Sequence, residues 1–75
     1  MIKEHDSVIL SEDLPENGLT TGDVGVVIHI YQGGEAYEVE FMTMDGGTVA
    51  VVALEAKQVR RANSRMIPHV REMAV

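Results

Sequence analysis

The stretch that decides the fold is Ala36-Tyr37-Glu38-Val39-Glu40-Phe41-Met42. Apolar side chains at Tyr37, Val39 and Phe41 alternate with Glu38 and Glu40. Successive side chains of a β-strand point to opposite faces, so this alternation is typical of a strand with one buried face and one face in water. The sequence therefore predicts a half-buried strand over residues 36–42.

The next segment, residues 48–54, is apolar on both faces, and the glycine turn at residues 45–47 predicts a hairpin before it. Its two interleaved faces are formed by Val49 and Val51 on one side and by Ala50, Val52 and Leu54 on the other. One face fills the core, and the other needs cover from the chain's own C-terminal segment or from another chain. We expect the partner-binding surface to comprise Ala50, Val52 and Leu54 with Ile67 and Val70 from that C-terminal segment.

Runs rich in β-branched residues predict further strands at residues 7–10 and 24–31, and residues 58–60 can return as a short closing strand. Gly25, inside the second of these runs, indicates a bulge or a sharp bend. The loop at residues 11–21 is long for so small a domain, and we expect its leucines to pin it to the core and its surface to be available to a partner. Four to five short strands with glycine turns predict a mainly β fold, a small antiparallel barrel.

The C-terminal segment predicts a short helix. Ile67, Val70 and Ala74 share one stripe at helical spacing, and Pro68 fits best in a first turn, so the helix is expected to begin at about Pro68. The chain therefore divides into a barrel at residues 1–61 and a helical tail at residues 62–75, packed on the barrel or on a partner.

The composition argues against several functional classes. The chain lacks cysteine, which removes disulfides and thiolate zinc sites, and His5, His29 and His69 match no ligand spacing. We expect no metal, no cofactor and no membrane span, since no stretch holds the roughly 20 apolar residues that a span requires. The polar, acidic start lacks the order of a signal peptide, which predicts a cytoplasmic protein.

The charge is strongly asymmetric. The net charge is −6, but residues 1–55 hold eleven acids against Lys3 alone, whereas residues 56–75 hold five cations against Glu72. An acidic body repels phosphate backbones, so nucleic acid is an unfavourable partner.

We find no catalytic set. His29 is interpreted as a partly exposed strand histidine. The loop acids Glu12, Asp13 and Glu16 lack the regular spacing of oxygen ligands and the glycine turn that calcium loops usually have. The sequence therefore predicts a non-enzymatic protein whose partner is another protein or a second copy of itself. The alternative is a nucleic-acid surface, and its best candidate residues are Tyr31, Arg60, Arg61 and Arg65.

Several of these segments together resemble the DUF4926 family of small, mostly bacterial proteins of unknown function. The resemblance is carried, in order, by Leu14–Leu19, Gly22–Val27, Ala36–Phe41, Thr48–Val52 and Val59-Arg60. It implies an SH3-like barrel, and the segment Gly22-Asp23-Val24-Gly25-Val26-Val27 also resembles the opening of KOW-type barrels. Similar chains occur as small accessory proteins beside another gene product, sometimes in pairs like those of toxins and antitoxins. The resemblance thus favours a protein-interaction module, with a KOW-like nucleic-acid-binding module as the alternative.

Overall fold

A computed structural model describes residues 1–73. Its strands are β1 (Ser7–Leu10), β2 (Val24–Ile30), β3 (Ala36–Met42), β4 (Thr48–Glu55) and β5 (Val59–Arg61). They form one open antiparallel sheet in the order β4-β3-β2-β1-β5. Single 3-10 turns lie at Pro15–Asn17, Gln32–Gly34 and Ala56–Gln58. The prediction of a mainly β fold with up to five strands is confirmed, and the sheet is consistent with the resemblance to SH3-like barrels.

Strand β3 is central to the core, as its alternating sequence predicts. Tyr37, Val39 and Phe41 are between 0% and 7% exposed, and Glu38 and Glu40 lie on the outer face. The core cluster around them comprises Val8, Leu10, Leu19, Val27, Tyr37, Val39, Phe41, Leu54 and Val59.

Gly25 allows β2 to cross close to β3. A Cβ atom at this position would lie 2.5 Å from Cγ1 of Val39 and 3.0 Å from the carbonyl oxygen of Glu40. The close approach of β2 to β3 at this position is therefore possible only without a side chain. The irregularity in the pairing with β3 lies further along β2, between Val27 and His29.

The loop between β1 and β2 is held by its own contacts. Leu14 and Leu19 form a β-bridge, and Leu19 is buried in the core, as expected. Asp13 accepts hydrogen bonds from both the backbone N–H and the hydroxyl of Thr21, at 2.8 and 2.9 Å. These bonds, that of the backbone N–H first, hold the pKa of Asp13 below its ordinary value.

The predicted C-terminal helix is wrong for the residues that the structure describes. Residues 62–73 contain a turn at residues 64–65 and no helix, and Ala74 lies outside the described residues. Pro68 removes a backbone donor and disfavours a helical conformation at Ile67.

Candidate functional site

Strand β4 lies at one edge of the sheet, and its register shows which backbone groups are open. The N–H of Ala56 donates to the carbonyl oxygen of Glu35 at 3.0 Å. Hydrogen-bonded positions recur at every second residue of an antiparallel pair, so the even-numbered residues of β4 before Ala56 bond to β3. The backbone N–H and C=O groups of Val51 and Ala53 therefore point away from β3, towards the open edge.

The structure assigns the two faces of β4 in the opposite way to the prediction. Leu54 is 2% exposed in the core, and Ala50 and Val52 are half-buried against the same cluster. The prediction that these three residues form the outer face is wrong. The outer face presents Val51, which is 48% exposed, and Ala53. Both faces are apolar, so the sequence alone could not distinguish the inner face from the outer one.

The two sheet edges differ in how they are protected. Natural sheets protect edges with short strands, charges, prolines or bulges. Strand β5 has three residues, two of them arginines. Strand β4 has eight residues with no proline, and its first seven residues carry no charge. Its one irregularity lies at its start, where the pairing shifts between Phe41 and Met42. The central part of β4 is therefore open to pairing with another chain.

Acidic side chains lie directly beside this edge. Glu40 pairs with Val51, and Glu38 pairs with Ala53, across the β3–β4 ladder. The Tyr31 hydroxyl donates to Oε2 of Glu38 at 2.8 Å, which raises the pKa of Tyr31. The Thr48 hydroxyl likewise donates to Oε2 of Glu40 at 2.7 Å.

The C-terminal residues predicted to join this surface lie elsewhere. Ile67 lines a surface groove of about 490 Å³ with Ile9 and Arg60. Val70 lines a second groove of about 710 Å³, and the residue of β4 in that groove is Val49. Ile67 and Val70 are 87% and 80% exposed, and the structure does not bring them together with the centre of β4. Their role in partner binding stays a prediction.

Sequence reasoning missed the contact that anchors the C-terminal segment. Arg71 donates from Nε and Nη2 to the two carboxylate oxygens of Asp23, at 2.8 and 2.6 Å, and from Nη2 to the carbonyl oxygen of Gly18 at 3.0 Å. The Arg71 guanidinium holds the pKa of Asp23 below its ordinary value. The two residues are 48 positions apart, and no local pattern pairs them.

The alternative surface is not assembled as predicted. Arg60 pairs with Ile9 across the β1–β5 ladder, and Ile9 pairs with Val24 at the start of β2. Tyr31 follows the opposite end of β2 from Val24. At the usual rise per residue of a strand, the two ends of β2 are about 20 Å apart. The Nε atom of Arg61 lies 3.4 Å from Oδ2 of Asp6. The structure thus separates Tyr31 from Arg60 and Arg61. Arg65 lies in the turn at residues 64–65, where its backbone N–H donates to Oδ1 of Asn63 at 2.9 Å.

The possible metal ligands within residues 1–73 are dispersed. Within residues 1–73, no three histidine or carboxylate side chains cluster closely enough to hold a metal ion. His29 is exposed, and its ring contacts Tyr31 edge-on with the centroids 4.8 Å apart. No helix in the described part of the chain is long and apolar enough to cross a membrane.

Comparison with known proteins gives one result. A family model described as a domain of unknown function, DUF4926, matches residues 4–61, the interval that contains all five strands. No curated protein and no solved structure matches the chain significantly. The matched interval covers more than half of the sequence and ends with β5, so the chain belongs to the DUF4926 family.

Proposed function

We propose that this protein is a non-enzymatic protein-interaction module that binds its partner along the edge of β4. The observation that carries the proposal is the edge strand β4, which has no charge from Thr48 to Leu54 and directs the backbone groups of Val51 and Ala53 outwards. An added strand satisfies such groups with main-chain hydrogen bonds and gains specificity from alternate side chains.

Residues 62–73, the described part of the C-terminal segment, line grooves away from the centre of β4. The grooves that this segment lines include Val49 but neither Val51 nor Ala53. Met42, which is 47% exposed, and Met44, which is 95% exposed, line the groove of Val49 and Val70, away from the centre of β4.

In the cell, we place the module as a small accessory partner of another protein, comparable to an antitoxin. A cytoplasmic location stays a prediction.

Differential capture from the native cell tests the proposal. The bait proteins are the wild type, Ala53→Pro and Ala53→Val. Proline at position 53 removes a backbone donor that faces the open edge and leaves the bonds to β3 in place, whereas valine keeps the donor. We expect a protein that the wild type and Ala53→Val retain and that Ala53→Pro loses. Capture of no protein, or equal capture by all three baits, contradicts the proposal.

A nucleic-acid-binding module is the second candidate, supported by the neighbouring exposed residues Arg60 and Arg61 on β5. Binding of single-stranded RNA measured from 50 to 200 mM salt tests it, because phosphate contacts weaken steeply with salt. Absence of binding at physiological salt, or equal binding by Arg60→Ala, rejects this candidate.

A further inference from the structure

The charge around the β4 edge restricts the chemistry of the partner. No lysine or arginine occurs from residue 4 to residue 56, an interval that holds eleven acids. Within it, Glu38 and Glu40 lie on the outer face one strand in from the edge. Lys57 lies just beyond the strand, with its Nζ 3.6 Å from Oε1 of Glu55.

We infer that the partner is a basic, extended segment that adds to β4 as a sixth strand, with lysine or arginine alternating with small apolar residues. This inference rests on the proposed function and specifies its partner. A second copy of the chain is disfavoured as the occupant, because it brings the same net charge of −6 and a β4 edge without lysine or arginine to the interface.

The pairing geometry sets the alternation. Residues of the added strand opposite Val51 and Ala53 direct their side chains to the outer face, about 10 Å from β3 at the usual strand spacing. Lysine or arginine there covers the exposed apolar groups with its methylenes and reaches the carboxylates of Glu38 and Glu40 with its charge.

The intervening residues of the added strand face the core side. They lie next to Ala50 and Val52, which are half-buried, so small apolar side chains complete the burial of both. The hydrogen bonds from Tyr31 and Thr48 each engage one oxygen of the two glutamates and fix their position. A carboxylate accepts further bonds at its other oxygen.

A designed peptide tests the inference directly. The probe is the acetylated, amidated hexapeptide Lys-Val-Lys-Val-Lys-Val, titrated into the full-length protein at physiological salt while backbone amide shifts are recorded by NMR. We expect saturable shifts centred on β4. The block peptide Lys-Lys-Lys-Val-Val-Val, Glu-Val-Glu-Val-Glu-Val and a copy N-methylated at alternate residues are expected to bind at least tenfold more weakly.

Charge variants separate recognition from general attraction. The double variant with Glu38→Gln and Glu40→Gln removes two partly exposed ion pairs with the peptide. It is therefore expected to weaken binding about fivefold. Glu4→Gln with Glu16→Gln changes the net charge equally at positions outside β3 and β4, and it is expected to leave the affinity within twofold. Equal weakening by the two double variants overturns the inference.

The outcomes distinguish the inference from the proposed function. Equal binding of the block or N-methylated peptide overturns strand addition by a basic segment, and the peptide comparison holds even if Ala53→Pro fails to fold. If the basic hexapeptide does not bind while a native protein is captured and then lost in Ala53→Pro, the interaction module stands and the basic partner is wrong. A dimer in light scattering that Ala53→Pro converts to a monomer assigns the edge to a second copy and also overturns the inference.

Discussion

The orientation of β4 can be tested by the different costs of two substitutions in it, Leu54→Ala and Val51→Thr. Leu54 is 2% exposed within the core cluster. Truncation of a buried leucine to alanine removes its transfer free energy and leaves a cavity, a loss of about 2–5 kcal/mol. A chain of 75 residues has a free energy of unfolding of about 4–11 kcal/mol, so this variant loses a large fraction of its stability.

Val51→Thr is the matched control, because it keeps the side-chain volume and the β-branch. Val51 is 48% exposed on the outer face, so we expect a cost of about 0.5 kcal/mol or less. Urea unfolding followed by circular dichroism measures both variants. With a slope near 1 kcal/mol per molar urea, Leu54→Ala lowers the midpoint by about 2 M or more, and Val51→Thr lowers it by about 0.5 M or less. Equal shifts, or a larger shift for Val51→Thr, would refute the assigned orientation of β4.

Two further predictions concern the packing of β2 and the C-terminal anchor. Gly25→Ala inserts a methyl group where the backbone and side chains of β3 leave no room, so we expect a loss of about 1–3 kcal/mol in the same urea assay; a loss below about 0.5 kcal/mol contradicts the close approach. Arg71→Ala removes the guanidinium that lowers the pKa of Asp23, so the carboxyl shift of Asp23 in an NMR titration moves to higher pH, and an unchanged titration contradicts the contact. The pKa of Asp23 is lower in the folded state, so the ionised carboxylate stabilises the fold above the ordinary pKa of 3.8. This stabilisation is lost as the pH falls through the pKa of Asp23 in the folded state. We therefore expect the free energy of unfolding to fall more in the wild type than in Arg71→Ala between pH 5 and acid conditions.

The candidate site was only partly predictable from the sequence. Residues 48–54 carry no charge and no proline and are apolar on both faces, and these features can be read directly from the sequence. They identified β4 as the segment of interest. The choice between its faces was wrong, since the inner and outer sets are both small and apolar and only their pairing with β3 separates them. The open edge itself is a property of strand order, which a single strand does not encode.

The sequence by itself determined the local features: the half-buried strand at residues 36–42, the glycine turns and the acidic body. These depend on side-chain period and backbone freedom, which act over a few residues. The tertiary structure decided which face of β4 lies inside, that β4 rather than β5 is the long open edge, and that residues 62–73 are anchored through Arg71 to Asp23 instead of forming a helix. Each of these depends on contacts between residues distant in the chain, whose free energy overrides weak local preferences.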